Sequence, residues 1–129
     1  MEVETSSPAD VMKPIGPYSH IAKAGPMISI SATAGVDPIT NQLVGPDVHS
    51  QARRILESFE RMLVGVGSSL EQVLHVNVYL KDMADFEALN QAYAEVFCTH
   101  RPARTVVSVI DLPKPGAVVT MSLLAVGRA

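Results

Sequence analysis

The segment PARTVVSVIDL, residues 102–112, sets a single arginine at the entrance of an apolar strand. Pro102 fixes φ and lacks an amide proton, so it belongs just before the strand or at its first residue. The β-branched run of residues 105–110 predicts a strand with both faces at least partly covered. Arg104, at the mouth of that strand, offers a charged, planar fork of donors that suits a carboxylate. A structural ion pair or a subunit interface would also account for an arginine there, and this segment alone does not distinguish these roles.

Two other segments alternate between apolar and polar residues, which predicts strands at 27–33 and 73–80. Further strands are expected at 104–110 and about 118–126, and a short one at 18–23, while the proline-rich residues 5–17 predict a loop. The side chains expected on one face are Ile28, Ile30 and Ala32 in the first strand and Leu74, Val76, Val78 and Leu80 in the second. Those expected on the other face are Met27, Ser29, Ser31 and Thr33 in the first and Val73, His75, Asn77 and Tyr79 in the second.

Two segments carry apolar residues at the three- and four-residue spacing of a helix. In the first, residues 48–66, Asp47 or Ser50 is suited to cap the start, and one of two glycines the end. The second helix is expected to open after Asp82.

The predicted order is β(β)β–α–β–α–β–β with no internal repeat, which indicates a single α+β domain over residues 1–129. Two helices can cover only one face of a mixed sheet of five to six strands. The other face combines polar and apolar side chains, which is typical of a wet subunit interface, so we expect a homo-oligomer. The residues expected on that face are Ser29, Ser31, Val73, His75, Asn77, Tyr79, Ser122, Leu124 and Val126.

The bulk composition excludes several classes of protein. A net charge of −3 and a pI of 5.7 argue against a nucleic-acid binder that works by neutralising phosphates. One cysteine excludes an internal disulfide and fits a reducing compartment. The acidic N-terminus does not predict a signal peptide, and no apolar run reaches the roughly 20 residues of a membrane span. We therefore expect a cytoplasmic protein without a membrane partner.

The search for catalytic side chains leaves few candidates. The sequence has no G-x-S-x-G motif, no histidine pair at metal-ligand spacing and no glycine-rich phosphate loop, so no zinc or nucleotide site is expected. Asn90 lies four residues after Phe86 and should be buried on the apolar side of the second helix, where its amide either ties the helix to a loop or contacts substrate. Tyr18 follows Gly16-Pro17 and is either a loop anchor or a wall of a site.

Several motifs together resemble the Rid/YjgF family of reactive-intermediate (enamine/imine) deaminases, whose members were formerly described as L-PSP endoribonucleases. The resemblance covers nearly the whole length of the chain. The matching residues are Ile15–Tyr18, Val76–Met83, Asp85-Phe86, Asn90, Tyr93, Phe97, Pro102–Thr105 and Leu112-Pro113.

The resemblance implies a chorismate-mutase-like fold and a homotrimer with three clefts between subunits. In this family the arginine matching Arg104 binds the carboxylate of a 2-imino or 2-enamino acid, the tyrosine matching Tyr18 lines the pocket, and the backbone carbonyl at Val106 receives the substrate nitrogen. Water then attacks the imine carbon and ammonia leaves, giving a 2-keto acid. No metal or organic cofactor is implied, since an imine is already electrophilic and positioning supplies most of the acceleration.

The chain departs from the best-studied branch of the family at three residue positions or segments, and its loop before Pro102 is also shorter. That branch has Ser-Gly-Gln where this chain has Ser31-Ala32-Thr33, and a cysteine at the position of Val106. It also has a glutamate that orients the attacking water, where this chain has Thr120. A threonine hydroxyl can hold a water but is a far poorer proton acceptor than a carboxylate. The carboxylate receptor is retained and the water-activating acid is not, as expected of a divergent branch.

Three functions therefore compete. The favoured hypothesis is a cofactor-free deaminase in which Arg104 binds the carboxylate and Thr120, Ser31 or Tyr18 holds the water. The second is a trimer that binds a small keto or fatty acid without turnover. The third, an endoribonuclease, follows only from the family's older description, and the acidic balance and the lack of a histidine pair argue against it.

Overall fold

The computed structural model describes residues 1–128, which form a six-stranded sheet, a two-stranded hairpin and two α-helices. The strands are β1 (Glu4–Ser6), β2 (Ile21–Ala24), β3 (Met27–Ala34), β4 (Val36–Asp37), β5 (Gln42–Leu43), β6 (Val73–Leu80), β7 (Ala103–Ser108) and β8 (Val119–Val126), and the helices are α1 (Val48–Gly65) and α2 (Phe86–Val96). The large sheet has the order β1-β2-β3-β8-β6-β7, and β4 pairs with β5. Strands β6 and β7 are parallel and all other pairs are antiparallel. The predicted α+β fold, two helices on a mixed sheet, is confirmed.

Helix α1 begins and ends where its capping residues predict. The Asp47 side chain accepts a hydrogen bond of 3.0 Å from the backbone N–H of Ser50, which satisfies one of the free amide protons at the helix start. After Gly65 the chain turns through Gly67, whose φ of 81° is the left-handed conformation that favours glycine. No helix within residues 1–128 is both long enough and apolar enough to cross a membrane.

The core lies between the two helices and one face of the sheet. The central helix residues Ile55, Leu56 and Phe59 have no exposed surface. Burying a side chain of this size stabilises the fold by about 1.5–3 kcal/mol, so this layer is the main source of stability. The sheet residues that pack against the helices are Ile28, Ile30, Val73, Val76, Val78, Leu80, Val119, Met121, Leu123 and Ala125.

The predicted alternation is wrong at one end of β6. Val73 is 1% exposed and packs in the core, whereas Leu74 is 51% exposed, the reverse of the expected faces. The pairing with β8 shifts between Val73 and His75, so the strand carries one extra residue there. Such a bulge reverses the faces on one side of it, and the pattern within a single strand does not show it.

The predicted alternation also fails in β3, for the same reason. The pairing with β8 shifts between Ile30 and Thr33. Thr33 is fully buried and Ala32 is exposed, although Ala32 was expected on the face of Ile30. Ser31 keeps its predicted face, since its N–H continues the β2–β3 pairing by donating to the carbonyl of His20, so the faces change after Ser31.

The prediction for the N-terminal residues is wrong in one respect. Strand β1 pairs with β2, so the loop expected over residues 5–17 starts only after Ser6. All three residues of β1 are exposed at the edge of the sheet, and a polar edge strand has no apolar alternation to reveal it.

The sheet face away from the helices is partly apolar and exposed. Met27 is 55% exposed and Leu124 44% exposed on this face. The expectation that both faces of residues 105–110 are covered is wrong for a single chain, because β7 is an edge strand and Val107 is 41% exposed. On its other face, β7 packs against the core, where Val106 is half-buried.

Candidate functional site

Arg104 lies on the helix side of the edge strand β7, where two aromatic rings of α2 support it. It pairs with the buried Val76 of β6, which fixes the face on which it lies. Its guanidinium carbon is 4.8 Å from the centre of the Tyr93 ring and 5.8 Å from that of Phe86. Guanidinium groups stack favourably on aromatic faces, and the edges that carry the N–H donors then stay free.

No carboxylate neutralises Arg104 within residues 1–128. The ion pairs of this part of the chain join other residues, such as Arg53 with Glu95 and Lys81 with Asp111. The nearby Tyr93 hydroxyl is buried and has no hydrogen-bond partner among the described residues. Burial raises the pKa of Tyr93 to about 12, against the opposing effect of the Arg104 and Arg101 charges, so the hydroxyl stays a donor. The N–H donors of Arg104 are therefore available to an anionic group, whereas the Tyr93 hydroxyl is enclosed by protein.

Asn90 lies on the same side of α2, one turn before Tyr93, next to the aromatic support of Arg104. The expectation that it is buried is wrong, since it is half-buried and its neighbour Phe86 is 37% exposed. The apolar side of α2 is therefore only partly covered at the start of the helix.

Three other predicted site residues meet in a separate pocket of about 600 Å³. Tyr18, Ser31 and Thr120 contribute hydroxyl groups to its wall. Sequence reasoning missed most of the other lining residues, which come from two loops and the bulged strand. They are Met12, Ile15, Ala32, Ala34, Pro113, Lys114 and Pro115.

The strands and an adjacent loop explain why these hydroxyls converge. Ser31 faces the pocket from β3, and Thr120 lies on the neighbouring strand β8, paired with Ala34. Thr120 is 6% exposed and lies on the face away from the helices. Tyr18 is held by its own loop, because its hydroxyl accepts a hydrogen bond of 3.3 Å from the N–H of Ile15.

A histidine that the sequence did not single out lies directly behind this wall. His20 is fully buried, and its ring nitrogens lie 2.7 Å from the carbonyl oxygen of Met12 and 3.2 Å from the hydroxyl oxygen of Ser31. Burial lowers the pKa of His20, and the hydrogen bond to Met12 opposes this shift only in part. A neutral imidazole is therefore part of the folded state.

We expect this histidine to make the protein less stable as the pH falls below about 6.5, the ordinary pKa of histidine. Because its pKa is lowered in the folded state, the unfolded chain binds more protons in this range, and the free energy of unfolding decreases with decreasing pH. Replacing His20 by glutamine should flatten this part of the curve in urea unfolding at a fixed protein concentration. The carboxyl groups with lowered pKa, such as Asp47 and Glu95, act only at more acidic pH, below ordinary values of 3.8 and 4.5. Identical slopes for both proteins between pH 7 and 5 would contradict the assignment.

One chain thus carries the predicted site residues in two separate groups. Arg104 and Val106 lie on β7, whereas Tyr18, Ser31 and Thr120 line the pocket, to which Arg104 does not contribute. Thr120 pairs with Tyr79 and Tyr79 with Val107, so Thr120 and Val107 are two strand spacings apart, about 10 Å. Arg104 is three residues further along and on the opposite face of the sheet.

Known proteins match this chain in sequence and in fold over most of its length. Residues 8–127 match the family described as Endoribonuclease L-PSP. The chain is 46% identical to a RutC family protein of Pyrococcus horikoshii over 79% of this chain and 81% of that protein. It is 34% identical to the 3-aminoacrylate deaminase RutC of Acinetobacter baylyi over 97% of this chain and 98% of that one. It is 29% identical to a 2-iminobutanoate/2-iminopropanoate deaminase of Dermatophagoides farinae, over 88% and 89% of the two chains.

Solved structures of similar proteins share the whole fold. The RidA protein of an Antarctic Psychrobacter species is 32% identical, with a TM-score of 0.89 over 95% of this chain and 98% of that one. The YjgF gene product of E. coli is 30% identical, with a TM-score of 0.89 over 97% and 99% of the two chains. These names support a deaminase role at the level of the family. The match over residues 8–127 and the common fold show that this chain belongs to the Rid/YjgF family of L-PSP-type proteins.

Proposed function

We propose that this protein hydrolyses reactive 2-imino and 2-enamino acids to 2-keto acids and ammonia, with Arg104 binding the substrate carboxylate. The observation that carries the proposal is the state of Arg104: its guanidinium stacks on Tyr93 and has no carboxylate partner within residues 1–128. A carboxylate can accept two parallel hydrogen bonds from such a guanidinium. The names of two relatives support imino and enamino acids as the broader class: one is a 2-iminobutanoate/2-iminopropanoate deaminase, and the other acts on 3-aminoacrylate, whose nitrogen is one carbon further from the carboxylate.

The complete site needs a second copy of the chain in this proposal. The hydroxyl-lined pocket and the arginine lie on different faces of one sheet, and the exposed apolar face is available for a subunit contact. We propose a homotrimer in which Arg104 of one subunit meets the pocket of its neighbour. The carboxylate would then lie on one subunit, and the water-holding hydroxyls on the other.

The residues brought together in this way suit imine hydrolysis. Arg104 holds the carboxylate, and the carbonyl of Val106, two residues along the same strand, is the proposed acceptor for the substrate nitrogen. Hydroxyls of Tyr18, Ser31 or Thr120 hold the water that attacks the imine carbon. Holding the two reactants in this geometry supplies most of the acceleration, because the imine carbon is already electrophilic.

A binding protein without turnover is the second candidate, and two observations favour it. The resemblance implies a water-orienting glutamate at the position of Thr120, and much of the pocket wall is apolar, with Met12, Ile15 and Pro113 among its residues. Such a wall suits the aliphatic part of a keto or fatty acid.

One pair of measurements separates the two functions. Imines are generated freshly in the presence of the protein. Their hydrolysis is followed with time by the ammonia released, or by the decrease in the semicarbazone that the remaining imine forms. A titration with a small 2-keto acid gives the affinity of the same site. Accelerated hydrolysis supports the deaminase, whereas binding without any acceleration supports the binding protein.

We expect two inactive variants to regain activity when they assemble together, if the site is shared between subunits. Arg104→Ala removes the carboxylate receptor, and Ala32→Phe fills the pocket from an exposed position that lines it. In a cyclic trimer of equal, randomly mixed subunits, about one quarter of the sites combine an intact pocket with an intact arginine, since each is present with a probability of about one half. Refolding the two variants together should restore that fraction of activity, whereas mixing them without unfolding should restore little. No recovery in refolded trimers of confirmed mixed composition would contradict a shared site.

A further inference from the structure

Ser31, in the pocket wall, forms a hydrogen-bonded pair with the buried His20. His20 has no exposed surface and lies behind Ser31, which lines the pocket. The ring nitrogen Nε2 is 2.7 Å from the Met12 carbonyl oxygen, and Nδ1 is 3.2 Å from Ser31 Oγ. Within residues 1–128, the aromatic ring that packs against it is that of Tyr18, edge-on at 5.7 Å between ring centres.

The partners of His20 determine which atoms carry the hydrogens. A carbonyl oxygen can only accept, so Nε2 must carry the proton and donate to Met12. In a neutral imidazole Nδ1 is then the acceptor, and the hydroxyl of Ser31 must donate to it. The lone pairs of Ser31 Oγ therefore remain free to accept a hydrogen bond from a molecule in the pocket.

The backbone holds this pair in place before any ligand binds. The N–H of Ser31 donates to the carbonyl oxygen of His20 at 2.9 Å, and the N–H of His20 donates to the hydroxyl of Ser7 at 3.0 Å. The first of these bonds continues the pairing of β2 with β3, in which Ile21 lies opposite Ile30. Preorganised groups of this kind need little rearrangement when a reaction occurs.

We propose that Ser31 and His20 together accept the proton of the hydrolytic water, the task that a glutamate at the position of Thr120 would otherwise perform. This inference rests on the proposed deaminase function. The lowered pKa of His20 is consistent with it, because a neutral, proton-accepting imidazole then persists to lower pH.

The proton balance of the step is complete. The water oxygen bonds to the carbon of the protonated imine as the C=N π electrons move to nitrogen. The proton lost by water passes to Ser31 Oγ, and the hydroxyl proton of Ser31 passes to Nδ1 of His20, which leaves a neutral carbinolamine and an imidazolium. Return of the proton along the same path to the amine nitrogen lets the C–N bond break, and the hydroxyl proton of the adduct goes to ammonia. The products are a 2-keto acid, an ammonium ion and the neutral His20.

Two single variants and their combination test the proposal. His20→Gln keeps a donor for Met12 and an acceptor for Ser31 but cannot take up a proton, and Ser31→Ala removes the hydroxyl that contacts the water. Each should lower kcat by about 100-fold or more, the usual range for a positioned proton acceptor. KM and the Kd of a 2-keto acid should change little, because neither residue is needed to bind the carboxylate. The double variant should be no slower than the slower single variant, since the two residues act as one unit.

The outcomes separate this inference from the proposed function. A wild-type protein that binds keto acids but does not accelerate imine hydrolysis overturns both. A wild-type deaminase whose kcat survives either substitution, or whose losses multiply in the double variant, keeps the proposed function and overturns the Ser31–His20 pair. Light scattering and urea unfolding identify a variant that has lost its assembly. If His20→Gln fails in this way, Ser31→Ala alone decides, because its kcat must fall while its Kd stays unchanged.

Discussion

Replacing Arg104 by alanine is expected to abolish the binding of 2-keto acids and any hydrolysis of imines, while leaving the assembly folded. A charge-assisted hydrogen bond contributes about 1.5–3 kcal/mol, so losing a bidentate pair should weaken binding by at least ~100-fold. The free guanidinium edge and the stacking on Tyr93 indicate that this arginine is held for a ligand and is not consumed by an ion pair within residues 1–128. Calorimetric titration with a small 2-keto acid measures the loss directly.

Two further variants make this experiment specific. Arg104→Lys keeps the charge but replaces a planar fork by a point charge, so binding should still be severely impaired. Arg101→Ala removes an exposed arginine three residues away, whose guanidinium donates to the carbonyl of Cys98, and should leave binding intact. Retained keto-acid binding in Arg104→Ala, or equal losses in the Arg101 variant, would refute the assignment of the carboxylate site.

The helices could be predicted closely from the sequence, because their signals are local. The spacing of the apolar residues over residues 48–66, with Asp47 as the cap, fixes where α1 begins and which side it buries. The strands were predicted in place but not always in orientation. A single extra residue at Leu74 or near Ser31 reverses the faces beyond it, and only the pairing with β8 reveals it.

The candidate site could be predicted residue by residue but not as an arrangement. Arg104, Tyr18 and Thr120 were identified from their chemistry and from the family motifs, and nothing in their spacing shows that Arg104 lies on a different face of the sheet. The β-branched run after Arg104 was expected to be covered on both faces, because the same composition suits a strand buried by its own chain and one buried by a partner. The sequence does not single out His20, because a lone histidine forms no recognisable motif. Only its contact with Ser31 in the folded chain indicates a role.

Thr120→Glu is expected to raise kcat toward small imines with little change in KM. Thr120 lines the pocket with Ser31 and Tyr18, so a carboxylate introduced there can contact the same water. A water-orienting carboxylate acts mainly on the barrier, whereas the carboxylate receptor binds substrate and transition state alike. General-base help is typically worth ~100-fold or more, so a partial gain of about tenfold should be measurable.

The main risk of this substitution is structural, and its controls address that risk. Thr120 is 6% exposed, and a buried, unpaired carboxylate destabilises a protein, although Lys114 on the same wall offers a countercharge. Light scattering should therefore establish the mass of the assembly before any kinetics. Thr120→Gln has nearly the same shape without a proton acceptor and should give no gain in kcat.

The same substitution also tests how the natural protein handles the proton. If the new carboxylate takes over that role, His20→Gln should slow the Thr120→Glu background far less than it slows the wild-type protein, because the Ser31–His20 pair is then bypassed. An intact assembly that binds keto acids without turnover, both as wild type and as Thr120→Glu, would instead favour the binding protein. In that case Arg104 and the pocket bind a ligand without hydrolysing it, and neither Thr120 nor a glutamate in its place supports turnover.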